Sequence, residues 1–66
     1  MSARNIYKVK FLEGKWQIVK DGKILGYYKS KKNAIAKAIL NAKMQISSQV
    51  VIFRMHGSVE ETLFNF

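Results

Sequence analysis

Seven residues in this chain of 66 have the types and spacing to hold phosphate groups. Lys8, Lys10 and Lys15 share one side of two alternating apolar and polar runs, with Gln17 and Tyr28 beside them. Ammonium groups neutralise phosphates and a tyrosine ring stacks on a base, a combination used by proteins that hold single strands. Lys29, Lys31 and Lys32 gather around the start of an expected helix. There the unpaired backbone amides and the helix dipole also favour an anion. Together the seven read as a nucleic-acid surface without sequence preference. The plainer reading is that lysines on an exposed strand keep a sheet edge from pairing and keep the protein soluble. Arginine, which offers bidentate contacts to phosphate, occurs only at Arg4 and Arg54.

Catalytic constellations are harder to assemble. His56 is the only histidine and there is no cysteine, so a metal centre or an acid–base pair would have to recruit other residue types. On a turn beside Gly57, a solvated imidazole is the ordinary outcome. A minimal nuclease built on one histidine is a third class of function, and His56→Ala would decide it. Glu13 and Asp21 sit in turns at opposite ends of one strand, and Glu60 and Glu61 are adjacent in another, so the latter pair point to opposite faces. Glu61 is instead expected diagonally across a hairpin from Arg54. Glu13-Gly14-Lys15 and Asp21-Gly22-Lys23 lack the spacing and the strand-to-helix context of a phosphate-binding loop. The residues therefore point to a non-enzymatic protein with no cofactor, no metal and no small-molecule substrate.

The elements that must position the lysines follow from periodicity. Residues 6–12 alternate, with Tyr7, Val9 and Phe11 on one side, and residues 15–20 alternate again after Glu13-Gly14. A two-residue loop pairs Phe11 with Trp16 and Val9 with Ile18, which puts both apolar sets on one face. Asp21-Gly22 makes a second hairpin, expected to pair Ile18 with Leu25 and Trp16 with Tyr27. In that register Trp16 is core rather than an aromatic platform. Ser30 is a helix N-cap, and residues 31–46 carry Ile35, Ala38, Ile39, Ala42 and Ile46 on one stripe. That stripe should cover the Trp16 face. Residues 49–55 form an apolar strand whose two faces are not distinguished, and His56-Gly57 turns it into a last strand over 58–64. The expected fold is α+β, a single domain over 1–66: an antiparallel sheet of about five strands in the order β-β-β-α-β-β, with one helix on one face.

A second stripe, Ala36, Leu40 and Met44, lies on nearly the opposite side of the helix. With Val19, Ile24, Phe64 and Phe66 it makes more apolar side chain than one sheet and one helix hide, so a homo-oligomer, most simply a dimer, is expected through that stripe or through the last hairpin. A protein-interaction or structural module with no nucleic-acid role is the alternative function.

Twelve basic against four acidic residues give a net charge of +8. The excess is concentrated: residues 1–32 carry nine basic and two acidic side chains, a net of +7, and residues 33–66 carry three and two, a net of +1. A chain this short is one domain and buries only about 60% of the surface its unfolded form exposes. An apolar content of 48% and a mean hydropathy of -0.11 are those of a globular chain. The run Val50-Val51-Ile52-Phe53 is far too short for a membrane span, and the opening Met-Ser-Ala-Arg-Asn carries no hydrophobic stretch of a signal. A cytoplasmic protein with no membrane contact is the expectation.

Trp16-Gln17-Ile18, the Asp21-Gly22 turn, Tyr28, Ser30-Lys31, Ala34-Ile35, Ala38 and Ala42 form a pattern continued by Val50-Val51-Ile52 and Gly57. Over nearly the whole chain this resembles a small prokaryotic family, domain of unknown function 2188. Asn33 departs from it, standing where an acidic residue commonly precedes the helix alanine, and so does His56, where a polar or acidic turn residue is usual. The resemblance implies the architecture and brings no catalytic residues with it.

Overall fold

Both tight turns of the first half have positive φ at their two central residues: Glu13 at 51° and Gly14 at 78°, then Asp21 at 53° and Gly22 at 76°. Turns of this kind match the right-handed twist of the strands they join. They set up β1 (Asn5–Leu12), β2 (Lys15–Lys20) and β3 (Lys23–Tyr28) as an antiparallel meander. The computed structural model describes residues 4–64. Phe66, counted above among the apolar residues, lies outside them.

β1 and β2 pair as expected, Phe11 with Trp16 and Val9 with Ile18. The second hairpin does not. Val19 faces Ile24, but Ile18 faces Gly26 and Trp16 faces Tyr28, with a bulge that inserts Leu25 into β3. One inserted residue sends every later side chain of that strand to the other face. Tyr28 therefore joins Trp16 against the core and Tyr27 takes the opposite face, the reverse of the expected arrangement. Gly26 makes room for this: a Cβ there would lie 2.8 Å from the Tyr28 hydroxyl oxygen.

Ser30 caps α1 (Lys31–Lys43), its hydroxyl accepting a bond from the Asn33 amide at 3.1 Å. The helix ends before residue 46, and Ile46 is exposed rather than part of the buried stripe. Its buried residues are Ala34, Ala38 and Ala42, and Ile35 and Ile39 pack partly buried alongside. Small side chains on the inner line let the helix backbone come close to Tyr7, Val9, Trp16, Ile18, Val50 and Ile52, which complete the same buried cluster.

β4 (Ser48–Phe53) and β5 (Val59–Leu63) follow. The sheet has the order β3-β2-β1-β4-β5 and is mixed, not antiparallel throughout: β4 runs parallel to β1. The reason lies in strand direction. After two hairpins β3 runs the same way as β1, and a single helix carries the chain back so that the next strand repeats that direction. Bonds from the start of β1 hold β4 in register: the Asn5 amide donates to the Ser47 carbonyl and its side-chain Nδ2 to the Ile46 carbonyl, both at 3.1 Å. This pairing also decides between the two faces of β4, since Val50 and Ile52 enter the buried cluster and Val51 and Phe53 turn away from it.

Candidate nucleic-acid interface

The sheet face opposite the buried cluster is built by alternation on all five strands. The register places on it Ile6, Lys8, Lys10 and Leu12 from β1, with Lys15, Gln17 and Val19 from β2. Ile24 and Tyr27 come from β3, Gln49, Val51 and Phe53 from β4, and Thr62 and Val59 from β5. None of these is acidic. Among the described residues no other element lies over this face, because the one helix belongs to the other side's cluster.

Two rings on the face are each accompanied by a lysine. The Lys10 ammonium is 5.0 Å from the centroid of Phe53, and that of Lys15 is 5.3 Å from the centroid of Tyr27. The first pair is half-buried and the second exposed, and cation–π contacts near the surface contribute roughly 0.5–1 kcal/mol and hold the lysine chain along the sheet. Neither ring was among the expected site residues. Tyr27 escaped because the bulge at Leu25 reverses its side, and Phe53 because the two faces of its strand are alike in sequence. The sequence signal for the first was Gly26 in a strand interior, a common mark of a bulge.

Gln17 takes its expected face but is buried there, 2% exposed. Its Nε2 donates to the Leu12 carbonyl at 3.0 Å and its Oε1 has no partner. It stiffens the end of the first hairpin beneath the lysines, and is not a surface contact.

The lysines near the helix start divide. Lys29 and Lys32 are exposed. Lys31 is engaged: its ammonium pairs with the Glu60 carboxylate and lies 5.3 Å from the Trp16 centroid. That pairing ties the helix start to β5. Glu60 is the residue a second bulge inserts into β5, between the pairs Ile52–Glu61 and Phe53–Val59. The expected Glu61–Arg54 pair does not form: Arg54 donates instead to the Val59 carbonyl at 2.8 Å and to Ser58 Oγ at 3.2 Å. The Lys31 hydrogen bond and charge hold the Glu60 carboxyl below its ordinary value. A carboxyl depressed in the folded state adds stability above its unfolded pKa and loses that contribution as pH falls through the folded value. NMR titration of the Glu60 side chain should give a midpoint below the usual glutamate value of about 4.3, and Lys31→Met should raise it toward that value, with the Arg54 charge still acting on it. An unchanged midpoint in the variant would overturn the pairing.

His56 is exposed in the turn after β4, and among the described residues no three histidine or acidic side chains gather where they could hold a metal. No helix among those residues is long and apolar enough to cross a membrane.

Compared with known families, residues 8–63 match the model of a group of uncharacterised proteins conserved in bacteria, domain of unknown function 2188. The chain belongs to this family. The match runs from Lys8 in β1 to Leu63 in β5, so the family's shared pattern takes in the helix, β2 to β5 and the later part of β1. No curated protein and no solved structure matches the chain.

Proposed function

We propose that the protein is a non-enzymatic binding module that holds single-stranded nucleic acid, without sequence preference, on the sheet face formed around Lys8, Lys10, Lys15, Tyr27 and Phe53. The observation that carries this is the place of the lysines in the sheet. Lys8 and Lys10 are on β1, the middle strand of five, and Lys15 is on its neighbour β2. Lysines that guard a sheet against edge pairing belong on edge strands, and here the edges β3 and β5 each carry a bulge that does that work. Positive charge at the centre of an open, acid-free face is accounted for better by a polyanion. The two rings favour unpaired bases, since stacking needs an open π-face and tolerates any base.

The test is a salt titration of binding to short labelled DNA and RNA, single- and double-stranded. Three lysines each neutralising one phosphate give a slope of log K against log salt of about −2 on single strands. Binding to single strands should exceed binding to duplex. No binding at low salt from a protein of charge +8 would overturn the proposal.

A second reading concerns self-association. Leu40 is 56% exposed, Met44 83% and Ile46 89%, and Ala36 is exposed on the same helix. These residues lie on the helix and the loop after it, away from the basic face, so a homodimer formed there would leave that face open. Light scattering of the wild type and of Leu40→Lys should give a dimer and a monomer. A wild type that is monomeric at high concentration would overturn it.

A further inference from the structure

A cleft of 380 Å³ opens at one corner of the sheet, lined by Gly14, Lys15, Tyr27, Tyr28 and Lys29. Three features of it are built by the elements already described. The β2–β3 ladder ends at the pair Trp16–Tyr28; Lys15 precedes Trp16 as the first residue of β2 and Lys29 follows Tyr28 just past the end of β3, so both line the same cleft. Two ammonium groups lining one cleft repel each other unless an anion lies between them. No acidic side chain lines the cleft. The bulge at Leu25 turns Tyr27 to this side, where the Lys15 ammonium rests over its ring. The volume is in the range of small-ligand sites.

We infer that this cleft is a subsite for one nucleotide bearing a phosphomonoester, the phosphate between Lys15 and Lys29 and the base against Tyr27. A phosphomonoester carries a charge of about −1.5 to −2 at pH 7, against −1 for an internal phosphodiester, and two lysines lining one cleft match the former. A phosphate that draws Lys15 off the Tyr27 ring also frees that ring for stacking. The cleft lies at the edge of the face, beside strand β3, where a bound strand would end rather than pass. The inference rests on the reading of the open face as a nucleic-acid surface, and it predicts more: the protein distinguishes phosphorylated ends. The same group occurs on a free nucleoside monophosphate and on a phosphorylated strand end.

The experiment compares single-stranded oligonucleotides with a 5′-phosphate, a 3′-phosphate or hydroxyls at both ends, alongside uridine and adenosine monophosphates and inorganic phosphate, by amide NMR titration. One phosphorylated end should bind roughly three- to tenfold tighter than the hydroxyl-ended strand, the scale of two solvent-exposed ion pairs. Amides of Gly14, Tyr27 and Lys29 should move with it. Lys29→Gln, at an exposed position, should bring the ratio of affinities for the phosphorylated and hydroxyl-ended strands back to about one, whatever smaller change it makes to both. If only the mononucleotides shift those amides, the free nucleotide is the ligand and the subsite stands. Equal affinity for all strand ends with no mononucleotide binding would overturn the subsite but not the nucleic-acid face. Inorganic phosphate moving the same amides at equal affinity would overturn it as a nucleotide site. Failure of every oligonucleotide and of both mononucleotides to bind would overturn both.

Discussion

Changing Lys8 and Lys10 together to glutamate is expected to lower affinity for single-stranded oligonucleotides by more than about a hundredfold at about 0.1 M salt. The arithmetic begins with counterions. Each phosphate of a single strand that a lysine ceases to neutralise takes away about 0.7 of a power of the salt concentration, so two phosphates at about 0.1 M come to roughly 25-fold. Reversal of sign adds two carboxylates facing the strand, and that repulsion supplies the rest. The slope of log K against log salt should flatten as well, from about −2 to about −0.7. Such a result needs a control for total charge, because any polycation attracts a polyanion over a distance. Lys37→Glu with Lys43→Glu makes the same change in net charge on the helix, where both lysines are exposed. If that pair weakens binding as much as the β1 pair, the open face has no special role and the proposal fails. The β1 variant should stay folded, since Lys8 is exposed and the Lys10 contact with the Phe53 ring is worth only about 0.5–1 kcal/mol.

Much of this arrangement was legible in the residues, and the parts that were not share a cause. Alternation with the Glu13-Gly14 and Asp21-Gly22 turns was enough to pair Phe11 with Trp16, because both strands had to agree on one apolar face. Ser30 was readable as a cap because its neighbours could supply an orphan amide locally. What escaped was whatever depends on a single residue of slippage or on a partner far along the chain. The Leu25 bulge moves Tyr27 and Tyr28 to opposite faces without altering composition or the hairpin signal. Gly26 was its trace, explicable only once the Tyr28 ring is seen above it. The parallel pairing of β4 with β1 follows from counting strand directions, yet its register rests on Asn5 meeting Ile46 and Ser47, which no local pattern announces. Likewise Lys31 looked like one of three helix-start lysines until Glu60, brought near by the second bulge, claimed it.

Trp16→Ala is the substitution with the largest expected effect on the fold, and it separates that fold from the proposed surface. Trp16 is 7% exposed, its ring centroid stands 5.2 Å from that of Phe11, and the Lys31 ammonium lies over it while pairing with Glu60. One side chain thus joins β1, β2, the helix start and β5. Truncating a buried tryptophan costs roughly 3–5 kcal/mol. A chain of this size has about 3–10 kcal/mol in all. At about 4–8 °C per kcal/mol the thermal midpoint should fall by about 12 °C or more, to unfolding at room temperature if the total is near its lower end. Trp16→Phe, which keeps a ring against Phe11, should cost much less. The ring belongs to the buried cluster and the proposed surface is the opposite face, so Trp16→Phe should bind oligonucleotides with unchanged affinity. Loss of binding in that variant, with its folding intact, would mean that Trp16 itself meets the ligand and that the two faces have been assigned the wrong way round. Unchanged affinity with a lowered midpoint would leave the lysines of the middle strand as the place where binding is decided.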